Sequence, residues 1–302
     1  MLKPGYMDRM QEILMLLPMS IGFALFVFYP IIWVIRWAWY NYDGYTVATF
    51  IGMDNFVRAF TRDPAFWASL RNTLFIAVVK LLIEIPLAML LATFLTSKIK
   101  GKTLFRVSYF LPSVLSIAVV GLIFSIMFSS YNGIINALLR SFGFIRKNIN
   151  FLGRRDNAYF VIILVSLWTS FGLNMIYFIM GYQNIPKDLY ECASIDGANA
   201  AQQFIHITVP LVAPVLQLVI MLSFLGTLRM TDLILVLTNG APGGSTEVVM
   251  TYIFKYFFQY GDSQTRTQFG YASSLAVITA VILAVVTLIY LRLSRRMKRI
   301  QE

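Results

Sequence analysis

Long apolar runs alternate along this chain with shorter polar segments, and six of those runs are long enough to cross a bilayer. They extend over about Ile13 to Ile35, Leu70 to Leu95, Val107 to Phe128, Ala158 to Tyr182, Val209 to Leu228 and Gly270 to Leu293. A hydrocarbon core of about 30 Å takes roughly 20 apolar residues in helical form, so each run predicts one transmembrane helix. The first run is too long for a signal-peptide core and no small-residue cleavage site follows a short apolar region, so it reads as helix one. Pro18 and Pro30 lie near its ends, where a missing backbone donor costs least. The segment from Arg36 to Ser69 mixes Trp37, Trp39, Tyr40 and Tyr42 with Asp43, Gly44, Asp54 and Asp63, the signature of a loop at the membrane interface. A second polar stretch, Gln183 to Thr208, separates helices four and five. The expected architecture is one all-α integral membrane domain, residues 1–302, with its two ends on the same side.

Composition agrees with that reading. Of the 302 residues, 58% are hydrophobic and only 13% charged, with a mean hydropathy of +0.71. An ordinary soluble surface cannot be built from such a chain. The net charge of +11 is carried by Lys and Arg in short loops and at the ends of apolar runs, where anionic headgroups lie, so membrane lipid explains it and nucleic acid does not. The basic turn Ser97 to Thr103 and the basic tail Arg292 to Arg299 place both termini in the cytoplasm. Arg58, Arg62, Arg140, Arg146, Lys147, Arg154 and Arg155 fall in the opposite loops and thin that contrast. One cysteine, Cys192, and one histidine, His206, give neither a disulfide framework nor a zinc site.

Charges inside the apolar runs are the first candidate chemistry. Lys80 and Glu84 stand four residues apart in helix two, on one helical face, where they can neutralise each other. A charge at the bilayer centre costs about 2.5–3.5 kcal/mol on insertion scales, which directs the pair to a cavity or a helix interface. A structural ion pair and a polar lining of a cavity both satisfy that constraint. Arg229 and Asp232, three residues apart at the end of helix five, pose the same choice. Trp168, Asn174 and Tyr177 on helix four offer aromatic faces and hydrogen bonds to a polar ligand, although aromatics in membrane helices commonly serve packing.

The segment Ile185 to Leu211 carries the most specific pattern. Pro186 suits a helix start, Asp188 and Glu191 suit the positive end of the helix dipole, and Gly197 after Asp196 permits a sharp change of direction. A short helix lying on the membrane surface follows, with Leu189, Ala193 and Cys192 on its apolar side and Pro210 opening the next span. Glu191-Cys192-Ala193, then Gly197, Ile207 and Pro210-Leu211, resemble the EAA loop of ABC importer permeases. The likeness extends through Asn72-Thr73-Leu74, Gly101 with Phe105-Arg106, Leu111-Pro112, Gly133 with Asn136, and Trp168. Leu237 to Pro242, followed by Ser245-Thr246-Glu247 and Tyr252-Ile253, is similar to the stretch before the last helix in the carbohydrate, maltose-type members.

That resemblance implies a type I ABC importer permease fold in a bacterial inner membrane. It implies that Tyr190, Glu191, Cys192, Ala193, Asp196, Gly197, Phe204, Ile207 and Pro210 form a loop that docks on an ATPase subunit. It makes Arg229, Thr231, Asp232 and Asn239 lining positions of a central cavity, beside Lys80, Glu84, Trp168, Asn174 and Tyr177. The implied partners are a second permease, two ATPase subunits that bind ATP and magnesium, and an extracytoplasmic solute-binding protein. Cys192 stands where the family usually has alanine, and being small and largely apolar it keeps the docking surface. The charged Lys80 and Glu84 depart from the apolar second helix expected of the family.

The chain is not expected to be an enzyme. Its nearest approach to a phosphate loop is Gly101-Lys102-Thr103, with Thr96 where the first glycine is required. A membrane protease needs an embedded histidine, and His206 falls in the polar segment. A secondary transporter would show inverted repeats and a coupling-ion site. A saccharide, glycerol phosphate or another small polar solute all fit the sequence as cargo.

Overall fold

A computed structural model describes residues 6–97, 100–258 and 267–299 of the chain. The chain enters through α1 (Tyr6–Phe23), a π-helical turn (Ala24–Phe28) and α2 (Tyr29–Trp37). A two-stranded hairpin, β1 (Tyr40–Asn41) and β2 (Thr49–Phe50), leads to α3 (Asp54–Thr61) and the long α4 (Pro64–Thr96). Then come α5 (Lys102–Phe110), α6 (Ile117–Met127), α7 (Ile134–Ser141) and α8 (Arg155–Gln183). The polar segment holds α9 (Lys187–Ile195) and α10 (Ala200–Gln203), and is followed by α11 (Val209–Leu211) and α12 (Ala213–Leu228). The chain closes with α13 (Asp232–Leu237), α14 (Val249–Phe257) and α15 (Phe269–Arg299).

Four stretches are long and apolar enough to cross a membrane: Gln11–Trp37, Pro64–Thr96, Arg155–Gln183 and Phe269–Arg292. Two further pairs reach six if each is one span, and both are broken. Lys102–Val114 and Ile117–Met127 meet at 95°, and Ala200–Leu211 and Ala213–Leu228 meet at 71°. The continuous third helix expected over Val107 to Phe128 is therefore corrected to a bent pair. Pro112 sits in a 3₁₀ turn (Leu111–Val114), and Leu115 and Ser116 are extended, ending one helical ladder before the next begins. The fifth helix, expected from Val209, is likewise a bent pair: Ala200–Leu211, which contains Pro210, breaks at Val212 and continues as Ala213–Leu228.

The backbone forms two compact units. One comprises residues 1–64 and 253–302. Within it the hairpin pairs Tyr40 with Phe50 and Asn41 with Thr49 in antiparallel register. Trp37 stacks on Tyr42 with ring centroids 4.3 Å apart, and the Asn55 amide donates to the carbonyls of Ala38 and Tyr40, both at 3.0 Å. The Arg58 guanidinium lies 3.8 Å above the ring of Tyr271, whose hydroxyl donates to Asp63 at 2.5 Å. The Asp43 carboxylate accepts from the backbone N–H groups of Thr46 and Tyr45, at 2.8 and 2.9 Å, and these bonds hold its pKa down at about 2. Of the basic tail, the side chains at 293 and 295–302 lie outside the described residues, as do residues 98 and 99 of the basic turn.

The other unit, residues 65–252, holds two apolar cores. In the first, Ile76 of α4, Val120 of α6, Ile162 and Val165 of α8, and Ile234 of α13 meet. In the second, Ala88 and Ala92 of α4 receive Met175, Phe178 and Ile179 of α8 and Val219 of α12. Small residues on α4 leave room in this core for the aromatic and branched side chains of α8. The opposite side of α4 exposes Phe75, Leu82 and Phe94, so its outer side is apolar as well, as a membrane setting requires. The segment after α13 is strapped down by polar contacts: Asn72 donates to the carbonyls of Ser245 and Glu247, at 3.0 and 2.9 Å, and Tyr159 donates to Ser245 at 2.9 Å.

Candidate functional site

Three helices of the 65–252 unit each contribute polar groups to one buried network. Lys80 and Glu84 project from the same face of α4, as their spacing predicts, and are 5% and 0% exposed. The Lys80 Nζ lies 3.6 Å from Glu84 Oε2. Glu84 Oε1 accepts from the Ser170 hydroxyl and, at 2.9 Å, from the Asn174 amide, both on α8. The same amide donates to the Ser223 hydroxyl of α12 at 2.7 Å. Lys80 closes the ring with a 3.4 Å contact to the Thr227 hydroxyl, which itself donates to the Ser223 carbonyl at 2.8 Å. A carboxylate and an ammonium are thus withdrawn from lipid together, and removing either one alone would strand a buried charge at a cost of about 3–5 kcal/mol.

A cavity of about 300 Å³ opens beside this network. Lys80 and the hydroxyl-bearing Ser166, Thr169, Ser170 and Thr227 form its inner wall, and Arg229, Thr231 and Asp232 its more exposed side. The structure therefore brings Lys80, Arg229, Thr231 and Asp232 to one cavity, and joins Glu84 and Asn174 to it through hydrogen bonds. Among the described residues Arg229 and Asp232 form no ion pair. Trp168 is 36% exposed on α8 and tilts against Phe124, with ring centroids 5.4 Å apart. Tyr177 packs on the second core, and Asn239 takes a left-handed conformation (φ +49°) in the turn after α13. None of these three lines the cavity.

The sequence reading passed over Ser166, Thr169, Ser170, Ser223 and Thr227. A signal was present. Lys80 and Glu84, then Ser166, Ser170 and Asn174, then Ser223 and Thr227, each repeat at four-residue spacing, placing one polar stripe on each of three helices.

The polar segment folds as a helix, a turn and a second helix. α9 ends at Ile195 with Asp196 as its cap, and Gly197 reverses the chain with φ +81°, a conformation that costs any residue bearing a Cβ. The Asn199 side chain accepts from the Gln202 N–H while the Gln202 side chain accepts from the Asn199 N–H, a reciprocal cap that starts α10. Tyr190, Phe204 and Ile207 pack against the second core, and the Tyr190 hydroxyl bonds that of Thr208 at 2.8 Å. These contacts fix the segment to the bundle. Outward it presents Glu191, Cys192, Asp196 and Gly197, with Ala193 half-buried and Pro210 exposed. Leu189 is 42% exposed and Ile195, which sequence reasoning did not single out, is 86% exposed, giving the outer surface an apolar component.

Residues 84–299 match the family described as binding-protein-dependent transport system inner membrane component. Over 296 residues the chain is 32% identical to the arabinooligosaccharides transport system permease protein AraP of Bacillus subtilis (strain 168), covering 97% of this chain and 91% of that protein. It is 32% identical to the lactose transport system permease protein LacF of Rhizobium radiobacter, covering 91% of each. Among solved structures, a chain of a bacterial alginate ABC transporter, crystallised with an alginate pentasaccharide-bound periplasmic protein, superposes with a TM-score of 0.80 at 25% identity. That match covers 94% of this chain and 93% of the other.

Proposed function

This chain belongs to the family of binding-protein-dependent transport system inner membrane components, and from that membership we propose that it is one membrane-spanning subunit of an ATP-driven importer for a sugar or oligosaccharide. The observation that carries the proposal is the α9–α10 segment, held to the bundle by Tyr190, Phe204 and Ile207 while Glu191, Cys192, Asp196 and Gly197 face outward. A knob anchored in that way transmits a push from a docked ATPase into α8 and α12, and so biases the bundle between inward-facing and outward-facing states. The ATPase subunits bind ATP and magnesium. A second permease supplies the other half of the path, an extracytoplasmic binding protein delivers the solute, and both termini of this chain lie in the cytoplasm.

The hydroxyl-lined cavity beside Lys80 serves as part of the path, with Arg229, Thr231 and Asp232 at its exposed side. Trp168, Tyr177 and Asn239 lie further along it as the solute moves. The sugar reading draws support from relatives named for arabinooligosaccharides and lactose. The test is to purify the chain with whatever binds it and measure ATP hydrolysis as sugar-loaded binding proteins are added. Copurification of an ATPase, with hydrolysis raised by a loaded binding protein, is the expected result. A chain that purifies alone and transports without ATP overturns the proposal.

A further inference from the structure

The Lys80–Glu84 pair is short of hydrogen bonds. Charge-assisted bonds from an ammonium to a carboxylate run about 2.7–2.9 Å, yet Lys80 Nζ stands 3.6 Å from Glu84 Oε2 and 3.4 Å from the Thr227 hydroxyl. Glu84 Oε2 has no hydrogen-bond partner among the described residues, while Oε1 has two. An ammonium has three donors to place, and Lys80, which is buried, forms part of the wall of the cavity. Glu84 does not. The carboxylate is turned toward α8 and held there by Ser170 and Asn174, so the cavity meets the donor end of the pair while the opposite charge behind it cancels the net sign. The remaining charges at the cavity, Arg229 and Asp232, also balance.

We infer that Lys80 is a specificity-determining residue of the cavity: its ammonium donates to a hydroxyl of a neutral, polyhydroxylated ring, and the Glu84 carboxylate behind it holds the site against acidic saccharides. This rests on the carbohydrate reading above. A neutral hydroxyl completes the ammonium's coordination without adding charge. A carboxylate brought to the same place would compete with Glu84 for Lys80, and Arg229, the other cation lining the cavity, stands at its exposed side with Asp232 rather than beside the buried pair. The cavity volume of about 300 Å³ is at the low end for small-molecule pockets, about 300–1,000 Å³, and suits one ring rather than a chain of them.

The test is saturation-transfer NMR on the purified assembly in nanodiscs, without its binding protein, using glucose, galactose and arabinose as neutral probes and glucuronate as the acidic one. Binding of a neutral ring and weak or no binding of glucuronate is expected. Lys80→Met/Glu84→Gln removes both charges and strands neither, and it is expected to weaken neutral-ring binding about tenfold. Lys80→Arg keeps the pair but alters its reach. It is expected to change the affinity, and it serves in the same way if the double variant fails to insert. Unchanged neutral binding in the variant that inserts, or glucuronate binding more tightly than the neutral rings to the wild type, overturns the assignment and leaves the importer standing. Absence of binding by every saccharide to the wild type overturns the carbohydrate reading and takes the assignment with it.

Discussion

Gly172 shows how far a single residue governs the packing of the 65–252 unit. It lies in the middle of α8, and a Cβ there would stand 1.8 Å from the Tyr109 carbonyl oxygen and 2.6 Å from its carbon. Both are backbone atoms of α5, so no rotamer change relieves the clash and the helices themselves must separate. Gly172→Ala is therefore expected to cost at the upper end of the overpacking range, about 1–3 kcal/mol. Gly226 of α12 has nothing within 4 Å of its Cβ position, and alanine there is expected to be neutral or slightly stabilising. Thermal unfolding of the purified assembly in detergent checks both, and equal melting temperatures for the two variants would contradict the packing argument. Residue-level chemistry was only half legible in the sequence. Lys80 and Glu84 announce themselves because charges are rare in apolar runs and their spacing of four fixes a shared face. Their partners do not, because a helical Ser or Thr ordinarily bonds a carbonyl of its own helix, as Thr227 does with Ser223. One such hydroxyl taken singly is not told from one that also faces another helix; only the four-residue stripe repeated on three helices marks it.

Among the elements, α9 and the turn after it carry the proposed docking surface. Glu191 and Gly197 are exposed and make no contribution to either apolar core, so substitutions there are expected to act on the proposed docking rather than on insertion. Glu191→Lys reverses the charge on the outer face, and Gly197→Asp adds charge and a Cβ at φ +81°, a strain of about 1–2 kcal/mol. Both variants are expected to reach the membrane at wild-type levels and to hydrolyse ATP without uptake, read by immunoblot, ATPase assay and radiolabelled sugar accumulation. Unimpaired uptake in both would remove the segment from the coupling path. The element pattern was legible where it depends on long apolar runs, and less so at the breaks. Leu111-Pro112 and Pro210-Leu211 lie at the two bends of 95° and 71°. Proline marks a probable bend, but it does not give the angle, which depends on where α6 and α12 find their packing partners. Hydropathy averaged over a span passes straight across both breaks.

At the scale of the whole molecule the proposed topology assigns each loop to one side of the membrane, and the sequence offers a built-in reporter of it. Basic residues lie on both sides, so charge counting alone decides little. Counting each bent pair as one span, the turn after the second span and the α9–α10 segment after the fourth lie on the same side, the side proposed to meet the ATPase. Cys192 is the chain's single cysteine, and it is exposed on α9. A membrane-impermeant maleimide is therefore expected to leave the chain unlabelled in intact spheroplasts and to label it in inside-out vesicles stripped of peripheral subunits. Cys192→Ala is expected to abolish the signal without disturbing the fold, since this side chain packs in neither core. Restoring the copurified ATPase subunits to the stripped vesicles should slow labelling, because the thiol stands beside Glu191 on the surface proposed to dock. Labelling from outside would invert the topology and with it the coupling proposal. Labelling from inside that the ATPase does not slow would keep the topology and move the docking surface away from Cys192.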